Sequence, residues 1–363
     1  CGQPPVADPD QFNTARKKYT QAVMDHPQTK TYAEYGTAAM ASMTDHFGAL
    51  PTRNFSAGSF EGVENINGDA LRDTILKRGG VSNPTHGCMA GCVIQCSNVY
   101  GDESGEKVIT SPIEYETIGL MGSNLGIDNL DSIAKLNQKA NDLGLDAIEI
   151  GAALGVAGEA GLMEFGDADR ALALMEEIEA GTELGRTLGN GAGALGKAYG
   201  VKRVPVVKNQ AMPAYDPRAI KGTGVTYATS PQGADHTSGL TIRAKVDPKS
   251  PAGQIEVSRT SQYMMAGYDT LGACIFAGFG FSTAKDTIAA LLNAVHGTEY
   301  RDDILGELGK KTLELELQFN ALAGFRAEDD RIPKWMTEER LPQTDTVFDV
   351  PDEEVDSIFE ELK

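Results

Sequence analysis

The sequence has no long uninterrupted apolar run, and it is poor in basic residues, histidine and tryptophan. A membrane-spanning helix needs about 18 or more consecutive apolar residues, so we predict no transmembrane segment. Lys and Arg number 32 against 52 Asp and Glu, which gives a net charge of −20 at pH 7. Nucleic-acid binding needs a basic face for the phosphates, so this class of function is excluded.

Cysteine is scarce as well, with five in 363 residues, and three of these fall within nine residues. Pairing those three into disulfides would leave one over. Cysteines this close together favour a reducing compartment, and no signal-peptide pattern opens the chain. We therefore expect a cytoplasmic protein whose acidity serves solubility in a crowded or salty cytoplasm. Docking of a basic electron carrier is the weaker alternative.

What the sequence does contain is mostly helical periodicity, in a chain long enough for two domains. The hydrophobic spacing predicts helices at about 11–24, 32–46, 68–78, 127–141, 146–163, 167–180, 182–199, 254–276, 283–295 and 302–325. Polar, glycine-bearing residues at 100–110 predict a hairpin. The acidic end at 345–361 is predicted to form a short strand and helix docked by their apolar residues.

The segment 201–241 interrupts this pattern with four prolines, several glycines and few helical periods. It is predicted to be a long ordered loop, and such loops in compact chains are commonly functional. We place the domain boundary near Lys202, which gives a helical domain at 1–201 and a second at 202–363.

The most informative motif is Cys88, Cys92 and Cys96, spaced C-x3-C-x3-C. Structural zinc sites usually use two C-x2-C pairs, and that pattern is absent. An iron–sulfur cluster accepts three crowded cysteines and a distant fourth, for which Cys1 and Cys274 remain. The spacing favours a cluster, and zinc or inert or redox-active thiols are the alternatives.

Two segments join a polar side chain to a glycine, namely Asp269-x-x-Gly272-x-Cys274 and Asn141-x-x-Gly144-Leu145-Asp146. Taken alone, each is typical of a helix that ends at glycine. Between them, residues 146–163 are rich in Ala and Gly. Small residues let another helix or a flat cofactor approach closely, so tight helix packing and a cofactor wall are both open.

Three titratable residues could serve acid–base chemistry: His236, Glu114 and Glu116. A neutral imidazole can hydrogen-bond a carbonyl oxygen or carry a proton, although a lone histidine is more often structural. On a helix, positions i and i+2 point to different faces. At most one of Glu114 and Glu116 should therefore face a pocket, and the other should be a solvated carboxylate.

The three cysteines together with the late D-x-x-G-x-C segment resemble the aldehyde ferredoxin oxidoreductase family of tungsten enzymes. Further matches occur in the same order at 48–55, 114–117, 141–146, 213–218 and 227–230. One departure is that the family usually has two residues between its first two cysteines, where this chain has three. The resemblance implies a mainly α fold of two helical domains, as in the C-terminal part of aldehyde ferredoxin oxidoreductase.

The resemblance also implies two cofactors. A 4Fe-4S cluster would be bound by Cys88, Cys92, Cys96 and Cys274. A tungsten (or molybdenum) bis-pyranopterin would be contacted by Asn141, Leu145, Asp146, Gln232, Asp269 and Ala273. His236 and one of Glu114 and Glu116 would be catalytic. Relatives commonly carry a basic residue where Gln232 stands, which puts the substrate preference in doubt.

By the same resemblance, the reaction would oxidise an aldehyde to a carboxylic acid and pass electrons to ferredoxin or another iron–sulfur carrier. The chain opens with Cys1 rather than Met, so we expect a fragment or processed product that lacks an N-terminal pterin-binding domain and is incomplete alone. A homodimer is compatible with this. The alternatives are a non-catalytic iron–sulfur electron-transfer subunit or fragment without the metal-pterin, and a zinc-stabilised helical module.

Overall fold

The computed structural model describes residues 5–362, so Cys1 lies outside the described residues. Sixteen α-helices occur in this range: α1 (Pro9–Asp25), α2 (Pro27–Tyr35), α3 (Met40–Phe47), α4 (Gly68–Arg78), α5 (Tyr115–Met121), α6 (Leu130–Leu143), α7 (Ala147–Glu159), α8 (Ala168–Ala180), α9 (Glu183–Gly189), α10 (Gly191–Tyr199), α11 (Lys221–Thr229), α12 (Gln254–Thr270), α13 (Asp286–His296), α14 (Ile304–Ala323), α15 (Lys334–Glu338) and α16 (Asp352–Ser357). The prediction of a mainly α fold is confirmed.

Five short strands accompany the helices in the same range: β1 (Asn83–His86), β2 (Ser97–Gly101), β3 (Val108–Thr110), β4 (Val206–Val207) and β5 (Gln210–Ala211). The first three form an antiparallel sheet in the order β1-β2-β3, and the last two form a separate hairpin. The predicted hairpin at 100–110 corresponds to β2 and β3. Both pairings are short, so helices supply most of the scaffold.

Side-chain caps explain where many of the helices begin. The side chains of Asp8, Asn67, Asn129, Asp146, Asp167 and Thr182 each accept a hydrogen bond from a backbone N–H in the first turn of the following helix. These bonds satisfy donors that the helix itself leaves free. No helix among residues 5–362 is both long and apolar enough to cross a lipid bilayer.

Three of the predicted helices are shorter or interrupted. Residues 32–46 are split at Gly36, whose φ of 62° and ψ of −166° end α2; a Cβ there would lie 2.9 Å from the Cys96 carbonyl oxygen. Residues 182–199 are split between α9 and α10 at Gly191, whose φ is 92°. The helix predicted at 254–276 ends at Thr270, ahead of Gly272 in the left-handed region.

The predicted long loop at 201–241 is wrong in one part, because it contains the helix α11. All nine residues of α11 are buried. A helix buried on every side has no amphipathic pattern, which is why its sequence showed no helical period. The β4–β5 hairpin lies in the same segment, and its strands of two residues each are too short to give an alternating pattern in the sequence.

The C-terminal end docks on the rest of the molecule as predicted. Val355, Ile358 and Phe359, in and just after α16, are buried in the main core. The predicted strand is reduced to an isolated bridge between Leu341 and Thr346.

One hydrophobic core extends across both halves of the chain. Its buried residues run from Ala38 to Phe359 and include Tyr115 and Tyr227. Hydrogen bonds join the halves as well: the Tyr115 hydroxyl donates to the Ala214 carbonyl, and Asn54 Nδ2 donates to the Arg203 carbonyl at 2.8 Å. The division near residue 202 stays a prediction.

Candidate functional site

The three clustered cysteines lie on the loop that joins β1 to β2. The loop closes on itself, because His86 and Cys96 form a bridge at its base. Within it Gln95 is left-handed, with φ of 54°, and its N–H donates to Cys92 Sγ at 3.4 Å. Cys88 is exposed, whereas Cys92 and Cys96 are half-buried.

Cys274 is brought to this loop by aromatic packing. It immediately precedes a 3₁₀ segment, Ile275–Gly280, whose Phe276 lies with its ring centroid 4.7 Å from that of Tyr32. Tyr32 belongs to a small core to which Cys92 and Cys96 also contribute. The sequence alone could not place these segments together, since their contact depends on α1 and α2 lying between them.

The electrostatics of Cys96 indicate how near the four thiols are. Burial, followed by the charges of Glu114, Cys274, Cys92 and Cys88, raises the pKa of Cys96 to about 12. All four thiols are free. Within residues 5–362, no three His, Cys, Asp or Glu side chains are close enough to share one metal ion. A multi-iron cluster binds each thiolate through a different iron, so this donor set fits a cluster better than zinc.

Glu114 faces the cysteine loop. It occupies the position before α5, in extended conformation, and its carboxylate accepts a hydrogen bond from the Thr37 hydroxyl. Burial raises the pKa of Glu114 to about 7, against the lowering effect of Thr37. The expectation that one of the two glutamates is a solvated carboxylate is therefore wrong, since both residues are half-buried and both carboxylates accept a hydrogen bond from the protein.

Glu116, in the first turn of α5, points to the histidine instead. Its Oε2 accepts from the Ala214 backbone N–H at 2.7 Å, and its Oε1 lies 3.6 Å from His236 Nε2. Burial raises the pKa of Glu116, and His236 partly opposes that shift. A carboxyl group and an imidazole at this separation can exchange a proton after a small adjustment, and catalytic hydrogen bonds are often long before substrate binds.

Aromatic residues enclose this pair. The Tyr215 ring centroid lies 5.5 Å from that of His236 and 5.0 Å from that of Tyr115. Three buried polar atoms here, Glu116 Oε1, His236 Nδ1 and the Tyr227 hydroxyl, have no hydrogen-bond partner within residues 5–362. Such atoms are rare in folded proteins and mark where a bound group belongs.

The loop that carries His236 is held from two sides. Asp235 caps the short 3₁₀ turn His236–Ser238, accepting from the Thr237 N–H at 2.7 Å, and Gln232 Nε2 donates to Asp235 Oδ2 at 2.7 Å. From the β4–β5 hairpin, Gln210 Nε2 donates to the Ala234 carbonyl at 3.1 Å. The histidine is thus positioned by a network of polar contacts rather than by its own packing.

A cavity of about 400 Å³ adjoins this loop. Among its lining residues are Gln232, Asp269 from the end of α12, and Glu316 from α14. Burial, with the charge of Asp235, raises the pKa of Asp269; burial, with the charge of Asp269, raises that of Glu316. Gln262 also lines the cavity, is buried, and has no partner for its Oε1 among the described residues. The cavity is therefore rich in hydrogen-bond acceptors.

The remaining residues predicted to contact the pterin lie at the ends of helices. Gly144 ends α6 in left-handed conformation and Asp146 caps α7, so the Asn141–Asp146 segment does serve as a helix boundary. Asp146 is still close enough to Glu116 for its charge to raise that residue's pKa. Asn141 is exposed, and its Nδ2 donates to Thr110 Oγ1 at 3.3 Å.

Leu145 packs on the main core, while Ala273 packs on a second, smaller core around Tyr268. The structure thus gathers the predicted residues into two groups. One is the four cysteines with Glu114, and the other is Glu116, His236, Gln232 and Asp269, with Asp146 near it.

Sequence reasoning missed several residues of the second group, namely Tyr215, Tyr227, Asp235, Gln262 and Glu316. Tyr215 and Tyr227 lie in the segments 213–218 and 227–230, which carry the family resemblance. Their position in these segments is a sequence signal that could have identified them. Glu316 has no such signal, because only the packing of α14 on α12 brings it beside Asp269.

Comparison with known proteins gives matches over nearly the whole chain. Residues 14–362 match the family model described as aldehyde ferredoxin oxidoreductase, domains 2 and 3. The tungsten-containing aldehyde ferredoxin oxidoreductases of Thermococcus kodakarensis and Pyrococcus furiosus are each 29% identical over 93% of this chain. A P. furiosus protein named aliphatic sulfonate oxidoreductase, WOR-like subunit, is 26% identical over 84% of it and matches over 50% of its own length.

The chain spans 58% of the length of those two aldehyde ferredoxin oxidoreductases. Among solved structures, the active-site complex BamBC of benzoyl-coenzyme A reductase superposes with a TM-score of 0.69. That match covers 98% of this chain and 62% of the other, at 13% sequence identity. At this identity the likeness concerns the fold alone.

Proposed function

The chain belongs to the aldehyde ferredoxin oxidoreductase family, of which it comprises domains 2 and 3, and from this we propose that it is the cluster-bearing and cofactor-contacting part of a tungsten- or molybdenum-pterin aldehyde oxidoreductase. One observation carries the proposal. Cys274 lies among the loop cysteines, while Asp269, five residues earlier, lines the acceptor-rich cavity beside the His236 loop. A single short segment therefore contacts both proposed redox centres.

The cluster would be held by Cys88, Cys92, Cys96 and Cys274. Their free thiols and their common effect on Cys96 support this. A thiol that coordinates a metal is deprotonated outright. Because the pKa of Cys96 in the cluster-free chain is raised to about 12, iron has to displace a firmly held proton when it binds this thiol.

The pterin cofactor would lie in the cavity lined by Gln232, Gln262, Asp269 and Glu316. Pterins carry several N–H donors, and these match carboxylate oxygens and the partnerless Gln262 Oε1. When bound, the metal-pterin supplies the two-electron redox chemistry. Asn141, Leu145, Asp146 and Ala273 are proposed as further contacts, on the resemblance.

Oxidation of an aldehyde to a carboxylic acid takes the second oxygen atom from water and releases two protons and two electrons. We assign the protons to the pair formed by Glu116 and His236. Glu116 Oε1, which has no hydrogen-bond partner among the described residues, lies 3.6 Å from His236 Nε2. His236 can hydrogen-bond the substrate oxygen. Burial raises the pKa of Glu116, which makes its carboxylate a stronger proton acceptor than an exposed one. A cluster held by the four cysteines would pass the two electrons singly to ferredoxin or another iron–sulfur carrier, which we place in the cytoplasm.

Elemental analysis of anaerobically purified protein tests the proposal most directly. We expect iron together with tungsten or molybdenum in the complete protein that carries domain 1. The second candidate is an iron–sulfur electron-transfer protein without the metal-pterin, which would use the four free thiols alone. Iron without tungsten or molybdenum in the complete protein would establish that second candidate. Zinc at one ion per chain would overturn both.

In the complete, metal-loaded protein, His236→Ala should lower aldehyde turnover by a factor on the order of 10²–10⁴, because it removes a group that contacts the substrate oxygen or its proton. Metal and iron content should be unchanged. The matched control is His46→Ala, since His46 is an exposed residue near the end of α3. Full turnover in His236→Ala would remove the histidine from the mechanism.

A further inference from the structure

The two segments that carry the four thiols lack charged side chains. Residues 79–101 and 270–284 contain no Asp, Glu, Lys or Arg, although 23% of the whole chain is charged. The reduction potential of an iron–sulfur cluster depends on the net charge, the hydrogen bonds and the solvent exposure around it. A charged side chain that reaches this region from another part of the chain is therefore well placed to adjust that potential.

Tyr32, on α2, connects both thiol segments. Its ring centroid lies 4.7 Å from that of Phe276, which stands two residues after Cys274. Cys92 and Cys96 pack on the same small core as Tyr32, which is only 6% exposed. The phenol thus forms the buried side of the proposed cluster site, opposite the exposed thiols.

Arg243 contacts Tyr32 from the segment that follows the His236 loop. Its Nη2 donates to the Tyr32 hydroxyl at 3.3 Å, and its guanidinium carbon lies 5.8 Å from the centre of the Tyr32 ring. Burial raises the pKa of Tyr32, the charge of Arg243 lowers it, and the charge of Cys96 raises it. The Tyr32 hydroxyl is therefore within electrostatic reach of a cation on one side and of a cluster thiol on the other.

The backbone that leads to Arg243 is fixed by buried hydrogen bonds. The Gly239 carbonyl accepts from Thr226 Oγ1 at 2.8 Å, and the Thr241 N–H donates to Thr223 Oγ1 at 3.2 Å. Within residues 5–362, no carboxylate forms an ion pair with Arg243. A rigid segment therefore holds an uncompensated positive charge against the phenol.

We infer that Arg243, through its contact with Tyr32, raises the reduction potential of the cluster held by the four cysteines. The inference rests on the proposed function for the presence of that cluster. Reduction adds a negative charge, and a nearby positive charge favours the reduced state by Coulomb attraction. Arg243 is a positioning residue in this scheme, because it acts on the cluster without binding it, and it links the segment after His236 to the electron-transfer centre.

A redox titration of the anaerobically purified complete protein, followed by electron paramagnetic resonance, tests the inference. Arg243→Met should shift the midpoint potential of the cluster to a more negative value at unchanged iron content. Arg243→Lys keeps the positive charge and should restore most of the wild-type potential. The matched control is Arg301→Met, which removes the same charge from a residue that is exposed and paired with Asp303, and it should leave the potential unchanged.

An unshifted potential in Arg243→Met would overturn the inference. So would a shift in Arg243→Lys as large as that in Arg243→Met, because the shape of the side chain rather than its charge would then matter. An equal shift in Arg301→Met would show that net charge alone is responsible, which also overturns it. Iron content separates this test from that of the function. Full iron with an unshifted potential refutes the role of Arg243 alone, whereas a complete protein without iron refutes the cluster and the inference together.

Discussion

Two neighbouring glutamates illustrate how far one residue's environment can differ from another's. Glu114 stands before α5 with φ of −100° and ψ of 170°, whereas Glu116 is already in the first helical turn. Because the backbone changes from extended to helical between them, the two side chains point to different places. Glu114 points to the cysteine loop and Glu116 points to His236. Both carboxyl groups have raised pKa values because both are buried.

Glu114 should leave a signature in the pH dependence of stability of the cluster-free chain. Its folded pKa of about 7 lies above the usual value of 4.5, so the folded state binds the extra proton between these values. Stability attributable to Glu114 is therefore present below about pH 4.5 and is lost as pH rises to about 7. The loss is at most about 3 kcal/mol, since each pKa unit corresponds to about 1.4 kcal/mol.

Glu114→Gln should abolish that decline, as measured by urea unfolding at several pH values. Glu61→Gln serves as the control, because Glu61 is exposed and the neighbouring Arg53 lowers its pKa. A carboxyl with a lowered pKa loses stability as pH falls, which is the opposite sign. An unchanged slope in Glu114→Gln would show that Glu114 is ionised in the folded chain.

The fourth cysteine can be tested by substitution. Cys274→Ser should lower iron content and visible absorbance as strongly as Cys92→Ser or Cys96→Ser, because each removes one thiolate from the same set. Cys1→Ser is the control and should retain full iron content. If instead Cys1→Ser loses iron and Cys274→Ser keeps it, the fourth ligand has been assigned to the wrong cysteine.

At the scale of elements, the β4–β5 hairpin has a larger role than its four paired residues suggest. Lys208, at its turn, is almost fully buried, and its Nζ donates to the Ala228 carbonyl at 2.7 Å and the Ser230 carbonyl at 3.0 Å. The same Nζ lies 2.5 Å from Asp330 Oδ1. The hairpin thereby fixes the end of α11 just before the loop that carries His236.

Lys208→Met should destabilise the protein by about 3 kcal/mol, because removing one partner of a buried ion pair leaves the other charge unpaired. Burial already raises the pKa of Asp330 more than Lys208 lowers it, so the unpaired carboxyl would be costly. Lys334→Met is the control, as Lys334 and its partner Glu338 are both exposed, and should change the free energy of unfolding by less than about 1 kcal/mol. Equal effects in urea unfolding would contradict the anchoring role of Lys208.

Elements with strong local signals could be predicted from the sequence, and elements defined by distant partners could not. The helix at 68–78 was placed correctly because its period and its Asn67 cap are both local. α11 was missed because it is buried all round. The same distinction holds in the candidate site: residue type and spacing single out the cysteines and His236, whereas Glu316 becomes relevant only through the packing of α14 on α12.

At the scale of the whole molecule, the cysteine group joins parts of the chain that are far apart in sequence. The loop between β1 and β2 and the segment after α12 meet through a small aromatic core around Tyr32. Since Cys88 and Cys274 are exposed and the loop has little regular structure, much of the order of this region is expected to come from the cluster.

Removing iron with a chelator should therefore lower the melting temperature of the cluster-loaded protein, by about 1–3 °C if the cluster contributes about 1–2 kcal/mol. Amide hydrogen exchange should rise mainly at residues 87–95 and 272–280. The control is the same chelator added to cluster-free protein, which should change neither quantity. A melting curve unaffected by complete iron loss would exclude a structural role for the cluster.

The core that runs from Ala38 to Phe359 also limits how this protein can evolve. A chimaera that joined residues 1–201 to the other half of a relative would have to preserve contacts such as Tyr115 with Ala214 and Asn54 with Arg203. The two halves should consequently be inherited as one unit, and recombination between them should be rarer than between this unit and whatever segment adjoins it.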